Sequence, residues 1–381
     1  MEAEQIERVA VVGAGTMGHG IAEVCALAGL EVGITDIKEE FLEEAVQSIS
    51  ASLDKLQEKG KISSSETDQT MGRISTDVDL KKIVSPSQLV IEAVPEKMEI
   101  KRDVFQEVDG AAREEAMFAT NTSSLSITNL ASLTSRPESF CGLHFFNPPV
   151  RMQLVEVVKG RETEKETIEV AMDFARRLGK EPVYCRKDHP GFIVNAILFP
   201  YLLEAVRLVE LQNLERETVD AGVVAKLNFP MGPFELLDMV GLDVAKEIGK
   251  VIGWPVPSGV KRRVDKDQLG RKTGRGFYDY EGEGVNYSPD DGAGFDPLPL
   301  LGVMVNEAAK VLEEEVATAE DIDLAMKLGT GMPEGPIALV EKRGLVDFRE
   351  GLNWLGEINS SDKERYEPRG PLKEGFDEYG V

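Results

Sequence analysis

Residues Val9-Ala10-Val11-Val12-Gly13-Ala14-Gly15-Thr16-Met17-Gly18 constrain this chain more than any other segment. The short apolar run reads as a buried strand, and the glycines turn it into a helix beginning near Thr16. Gly13 permits the tight turn, Gly15 lets the backbone approach a pyrophosphate, and Gly18 allows the helix to lie close on its strand. The helix N-terminus then offers unpaired N–H groups to an anion. Alone, such a glycine pattern is weak; here it has its context. A helix over His19–Ala28 follows, Gly29 stops it, and a second strand, Leu30–Thr35, ends in Asp36, 18 residues past Gly18. A carboxylate at that distance suits a ribose diol and repels a 2′-phosphate, so Asp36 predicts NAD over NADP.

Histidine is scarce, three in 381 residues, and one of the three, His144, sits among apolar and turn-forming residues. Twelve positions on, Glu156 falls inside an apolar strand. Taken singly, His144 reads as a satisfied core histidine and Glu156 as a strand-end acid. Beside a nicotinamide, a base with a carboxylate to orient it is the apparatus for oxidising an alcohol.

Hydrophobic residues make up 42% of the chain, so it folds around a core, and its length suits two or three domains. The net charge of −25 argues against nonspecific nucleic-acid binding. No apolar run approaches a membrane span, and MEAEQIERVA lacks the apolar core of a signal peptide. Cys25, Cys141 and Cys185 are too few and too scattered for a disulfide scaffold or a zinc site. A reducing cytoplasm fits, and the acidic surface also suits a salt-rich one.

The first half alternates strands and helices, as an open parallel sheet should. Further strands are expected at Gln88–Ala93, Met117–Thr120, Phe140–Leu143 and Gln153–Val158. Because ligands sit at strand C-termini in such sheets, the loops at Glu96, Ser123 and His144 should share one cleft. The amphipathic stretch Glu39–Lys61 ends in a locally basic run, which reads either as a solvated helical hairpin or as a grip for a phosphate-bearing substrate tail. From Pro190 the pattern turns helical, with helices over Phe192–Glu210, Arg216–Leu227 and Phe234–Val240. This segment recurs: Glu204, Asp220, Pro230, Gly232-Pro233 and Gly241-Leu242 match Glu307, Asp323, Pro333, Gly335-Pro336 and Gly344-Leu345, every pair 103 residues apart. We read an internal duplication of a helical unit, around 190–253 and 296–356. The expected organisation is an α/β Rossmann-type domain over 1–187, a helical domain over 188–290 and its copy over 291–381. The tail beyond Asn359 is charged and expected to be irregular.

The fingerprint, Asn121-Thr122-Ser123-Ser124, His144-Phe145-Phe146-Asn147-Pro148, Glu156, Pro190-Gly191-Phe192-Ile193-Val194-Asn195 and Lys272-Thr273-Gly274-Arg275-Gly276-Phe277-Tyr278 occur in one order. As a set they closely resemble the L-3-hydroxyacyl-CoA dehydrogenases, including the 3-hydroxybutyryl-CoA members, over about residues 6–280 and, through the repeated unit, most of the remainder. The resemblance implies NAD-dependent oxidation of (S)-3-hydroxyacyl-CoA to 3-oxoacyl-CoA, with His144 as the base and Glu156 holding its imidazole. It implies that Ser123 and Asn195 contact the substrate near its reacting end. For the cofactor the pattern carries over onto Gly13, Gly15, Thr16, Met17, Gly18, Asp36, Glu96, Lys101, Asn147 and Lys272. For CoA it carries over onto Ser52 and Lys59. No enoyl-CoA hydratase domain is expected. Leu298 stands 103 residues after Asn195, so the second copy lacks that polar group and is expected to be structural. It should cover the first copy as a pseudo-dimer within one chain, with one active site and room for further homo-oligomers.

Two other functions stay open. Relatives of the family oxidise free hydroxy acids such as L-gulonate with the same histidine and glutamate, a reading that a CoA-gripping Lys59 disfavours. A non-catalytic dinucleotide-binding protein is the other, against which the intact His144/Glu156 pair argues.

Overall fold

The apolar run ahead of the glycines forms strand β1, Arg8–Val12, buried on nearly every residue. The computed structural model describes residues 2–282 and 284–376; the end of the tail, 377–381, lies outside the described residues. After β1 come β2 (Glu31–Thr35), β3 (Ile74–Thr76), β4 (Leu89–Glu92), β5 (Met117–Thr120), β6 (Phe140–Phe145), β7 (Leu154–Lys159) and β8 (Glu181–Cys185). They make one eight-stranded sheet in the order β3-β2-β1-β4-β5-β6-β7-β8. Every neighbouring pair is parallel except β6–β7, so the last two strands run against the rest. The order reverses between β1 and β4, and the crevice at that point lies beyond the C-terminal strand ends. Helices such as Thr16–Leu27, Met98–Ala111 and Lys165–Arg177 cover the sheet.

Two strands escape the sequence pattern, and both lie at edges. β3 has three residues, too few to show a period. β8 carries Pro182, which marks a break in a central strand but is tolerated where one side of the ladder is open.

The chain divides into two compact units, Met1–His189 and Pro190–Val381. The second unit holds both helical segments that share the 103-residue spacing. Its central helix, Val194–Gln212, packs against its counterpart Leu298–Glu313. The 103-residue spacing has a local cause. Asp220 accepts the N–H groups of Phe234 (2.9 Å) and Glu235 (3.0 Å) at the start of helix Pro233–Val240. Asp323 accepts those of Ile337 (2.8 Å) and Ala338 (2.9 Å) at the start of Pro336–Arg343. A Cβ on Gly232 or Gly335 would come within 2.3 Å of the matching aspartate carboxyl. Each Asp thus caps a helix from 14 residues away, and each Gly-Pro makes room for it.

The tail is more ordered than its composition suggests. Ser360–Tyr366 forms a 3-10 helix and Gly370–Glu374 a short α-helix. Tyr366, Leu372 and Phe376 are buried, and the Tyr366 hydroxyl donates to Glu204 on the central helix at 2.8 Å. Three apolar anchors suffice to dock a charged segment. Among the described residues no helix is long and apolar enough to cross a membrane.

Candidate active site

The glycine loop after β1 is shaped from inside and open on one side. Gly13 has φ +106°, and a Cβ there would lie 2.7 Å from the carbonyl oxygen of Ala93. A Cβ on Gly18 would overlap the Gly13 carbonyl at 1.8 Å, which explains the close seat of helix Thr16–Leu27. On Gly15 it would meet no protein atom within 4 Å, so a small residue there leaves space for something outside the chain. That helix has no side-chain cap, so its first-turn N–H groups, including those of Thr16 and Met17, are oriented to hold an anion. Asp36 closes β2 beside this loop. One of its oxygens accepts the Ala14 N–H and the other its neighbour Ile37 N–H, both at 2.7 Å. An anion cradle with a fixed carboxylate at its side fits a dinucleotide diphosphate and an unphosphorylated ribose.

His144 and Glu156 face each other directly across the antiparallel β6–β7 ladder. Partners of this kind project from the same face of a sheet. The imidazole Nδ1 lies 2.6 Å from Glu156 Oε2. Glu156 is fully buried and His144 6% exposed, with the Phe146 ring tilted against the imidazole at 4.6 Å. The turn of chain direction between β6 and β7 brings an acid twelve residues away within hydrogen-bond reach. Asn121, just past β5, accepts the Phe145 N–H at 2.9 Å and ties the two strand ends together.

Glu96 organises the loop that carries Ser123. Its Oε1 accepts from the Thr122 hydroxyl (2.6 Å), the Ser123 and Ser124 N–H groups (2.9 and 3.0 Å) and the Ser124 hydroxyl (2.9 Å). The Ser123 hydroxyl lies 3.4 Å away. Burial pushes the Glu96 carboxyl up, but Lys101 and these donors outweigh it and hold the group below its usual range. The loops at Glu96, Ser123 and His144 thus share the C-terminal edge of the parallel strands. Lys101, expected to contact a cofactor, is buried: its amine lies 2.6 Å from Glu92 Oε1 and 3.3 Å from Glu96 Oε2. Glu92, the last residue of β4, and Thr120, whose hydroxyl donates to it at 2.6 Å, belong to this network. The only signal for them in the sequence is an acid ending the apolar run Leu89-Val90-Ile91.

Asn147 is exposed beyond β6. Ser52 and Lys59 lie on and just after helix Glu39–Glu58, seven residues apart, or about 10 Å along the axis. Lys59 is exposed; Ser52 is half-buried and faces Glu23 of the neighbouring helix. Asn195 and Lys272 belong to the second unit. Asn195 is buried at the start of helix Val194–Gln212, and the Lys272 amine is held by both oxygens of Asp243, at 2.6 and 2.7 Å. Among the described residues no group of histidine, cysteine and carboxylate side chains could hold a metal ion.

Two family models match the chain. The 3-hydroxyacyl-CoA dehydrogenase NAD binding domain matches residues 8–189. The 3-hydroxyacyl-CoA dehydrogenase C-terminal domain matches 191–280 and 297–376. The chain belongs to the 3-hydroxyacyl-CoA dehydrogenase family. It is 43% identical over 292 residues to the mitochondrial hydroxyacyl-coenzyme A dehydrogenase of Rattus norvegicus, a match covering 72% of this chain and 92% of that protein. To a probable 3-hydroxybutyryl-CoA dehydrogenase of Deinococcus radiodurans it is 42% identical over 277 residues, covering 71% of this chain and 99% of the other. The solved structure of 3-hydroxybutyryl-CoA dehydrogenase from Escherichia coli K12 superposes with a TM-score of 0.90 at 29% identity, covering 99% of each chain.

Proposed function

We propose that this chain catalyses the reversible, NAD-dependent oxidation of (S)-3-hydroxyacyl-CoA to 3-oxoacyl-CoA. The observation that carries the reading is the buried His144–Glu156 pair, on the same sheet as an open glycine loop flanked by Asp36. A carboxylate can only accept, so Nδ1 carries the ring proton and Nε2 is the basic nitrogen. Nε2 takes the proton of the 3-hydroxyl as hydride leaves C3; in the reverse direction it returns that proton to the 3-oxo oxygen. Glu156 fixes the tautomer and offsets the charge of the imidazolium. NAD, when bound, supplies the hydride acceptor.

Gly13, Gly15, Gly18 and the N–H groups of Thr16 and Met17 are assigned to its diphosphate, Asp36 to its adenosine ribose, and Glu96, Asn147 and Lys272 to further contacts. Lys101 acts at one remove, through Glu96. Ser123 and Asn195 orient the acyl carbonyl end, and Ser52 and Lys59 grip the CoA nucleotide. The second helical copy is a structural cover, giving a pseudo-dimer with one active site per chain and a surface on which further copies can assemble. Three buried, unpaired thiols suit a reducing cytoplasm.

The test follows NADH by its fluorescence, its loss with acetoacetyl-CoA or free 3-oxo acids and its gain from NAD with free hydroxy acids such as L-gulonate. Turnover of the CoA ester at least about a hundredfold above the free acids, a difference of about 2.7 kcal/mol in transition-state binding, is expected. Preference for a free acid overturns the CoA assignment, and NADH binding without turnover of any of them overturns the catalytic one.

A further inference from the structure

Glu92 is buried without exposed surface in an otherwise apolar strand, and its partner Lys101 is 1% exposed. An ion pair is an expensive way to fill such a site, since apolar side chains of similar volume are often as stable or more so. What distinguishes this pair is where its hydrogen bonds lead. Glu92 Oε1 accepts from Lys101 (2.6 Å) and from the Val94 N–H (2.7 Å). Its other oxygen accepts from the Thr120 hydroxyl at 2.6 Å, and that hydroxyl oxygen accepts the Thr122 N–H at 3.3 Å. Lys101 in turn reaches Glu96 Oε2 at 3.3 Å, while Glu96 Oε1 holds the 122–124 loop. Two routes, one through Lys101 and Glu96 and one through Thr120, therefore run from Glu92 to the loop bearing Ser123.

The distances also show how the lysine is shared. Two carboxylates compete for one ammonium, and Glu92 holds it at 2.6 Å against 3.3 Å for Glu96. Lys101 keeps Glu96 ionised but leaves Oε1 to the loop donors. With the charge of Glu92 removed, the nearest anion for Lys101 is Glu96, and closing that gap draws the carboxylate away from Thr122, Ser123 and Ser124.

We propose that Glu92 is a positioning residue for the dehydrogenase reaction: it restrains Lys101 so that Glu96 can hold the Ser123 loop in place. This inference rests on the function proposed above. The test uses the full chain with Glu92→Gln, Lys101→Met and the double variant, assayed with acetoacetyl-CoA and NADH. Glu92→Gln is expected to raise KM for the CoA ester and lower kcat, together at least about tenfold in kcat/KM, within the ~100-fold that ~1 Å of misplacement costs. The double variant, with no ammonium to draw Glu96 away, is expected to recover at least about threefold over Glu92→Gln, a non-additivity that reports coupling. A purely structural pair predicts a double variant no better than the worse single, with losses that follow Tm. That result, or a Glu92→Gln enzyme with unchanged kcat/KM, overturns the proposal.

A second measurement needs no turnover. Amide hydrogen exchange of 121–125 is expected to quicken in Glu92→Gln and slow again in the double variant, and unchanged exchange overturns the proposal. Failure of the wild-type chain to reduce acetoacetyl-CoA tells against the function alone, and the exchange data then decide the role of Glu92 in holding the loop.

Discussion

His144 and Glu156 act as one unit because each corrects a weakness of the other. The histidine alone could lose its proton from either nitrogen, and the glutamate alone would be an uncompensated buried charge. Replacing His144 by Gln is expected to cost on the order of a hundred- to ten-thousandfold in kcat while leaving NADH affinity within about twofold, because the ring moves a proton and the cofactor is held elsewhere. Stopped-flow turnover and NADH titration check this; a variant retaining more than about a third of wild-type kcat places the base at another residue. Asp36 makes a second prediction. Its carboxylate sits beside the diphosphate loop, so NADP should be a poor cofactor, and Asp36→Ser with Ile37→Arg should narrow the NAD/NADP ratio of kcat/KM. Equal use of both cofactors by the unaltered chain removes Asp36 from the ribose. These residues were legible in the sequence because each marks a sharp local event: a glycine turn, an acid ending an apolar strand, a lone histidine in a strand. Lys101 was read toward the cofactor, and the structure sets its amine between Glu92 and Glu96. Nothing along the chain says which of two acids, five and nine residues back, an amine will choose once a strand end, a loop and a helix have been folded together.

The elements follow the apolar pattern wherever a segment is long enough to show a period. β6 and β7 are an example: their register puts His144 opposite Glu156, and a slip by one residue would send one of the two to the other face. The edges and the tail were the places where the pattern ran out. Helix packing adds a pH-dependent term that sequence does not show. Glu23, on helix Thr16–Leu27, is 1% exposed and one of its oxygens has no hydrogen-bond partner. Burial pushes its carboxyl up to about 7, with the Ser52 hydroxyl opposing the shift. A carboxyl raised in the folded state stabilises fully below its unfolded pKa, and this contribution is lost as pH rises through the folded one. Glu23→Gln should therefore gain Tm over wild type as pH is raised from 4.5 to 7, with a change of at most about 3 kcal/mol across that window. Thermal unfolding of both proteins at either end measures it, and an equal difference at the two ends excludes the linkage.

At the scale of the whole molecule, the repeat was visible because glycines, prolines and capping aspartates tolerate so few alternatives that a fixed spacing survives in them. The repeated segments lie in one compact unit, in which helix Val194–Gln212 packs on Leu298–Glu313. Deleting 296–381 should uncover the apolar face around Leu202, remove the Tyr366 hydroxyl from buried Glu204, and leave a protein that self-associates. Sedimentation of the truncated and full chains distinguishes the cases: a truncated protein that stays monomeric, soluble and active denies the second copy its covering role.

The packing of helix Val194–Gln212 on Leu298–Glu313 also changes what dilution can do. Two separate subunits that shield one another must find each other in solution, and their pairing weakens with every tenfold fall in concentration. If the second helical segment is the cover proposed above, both partners hang on one backbone, so each sees the other at an effective concentration on the order of millimolar whatever the amount of protein. Specific activity should stay level down to nanomolar enzyme, conditions under which a cover held only by mass action would come off.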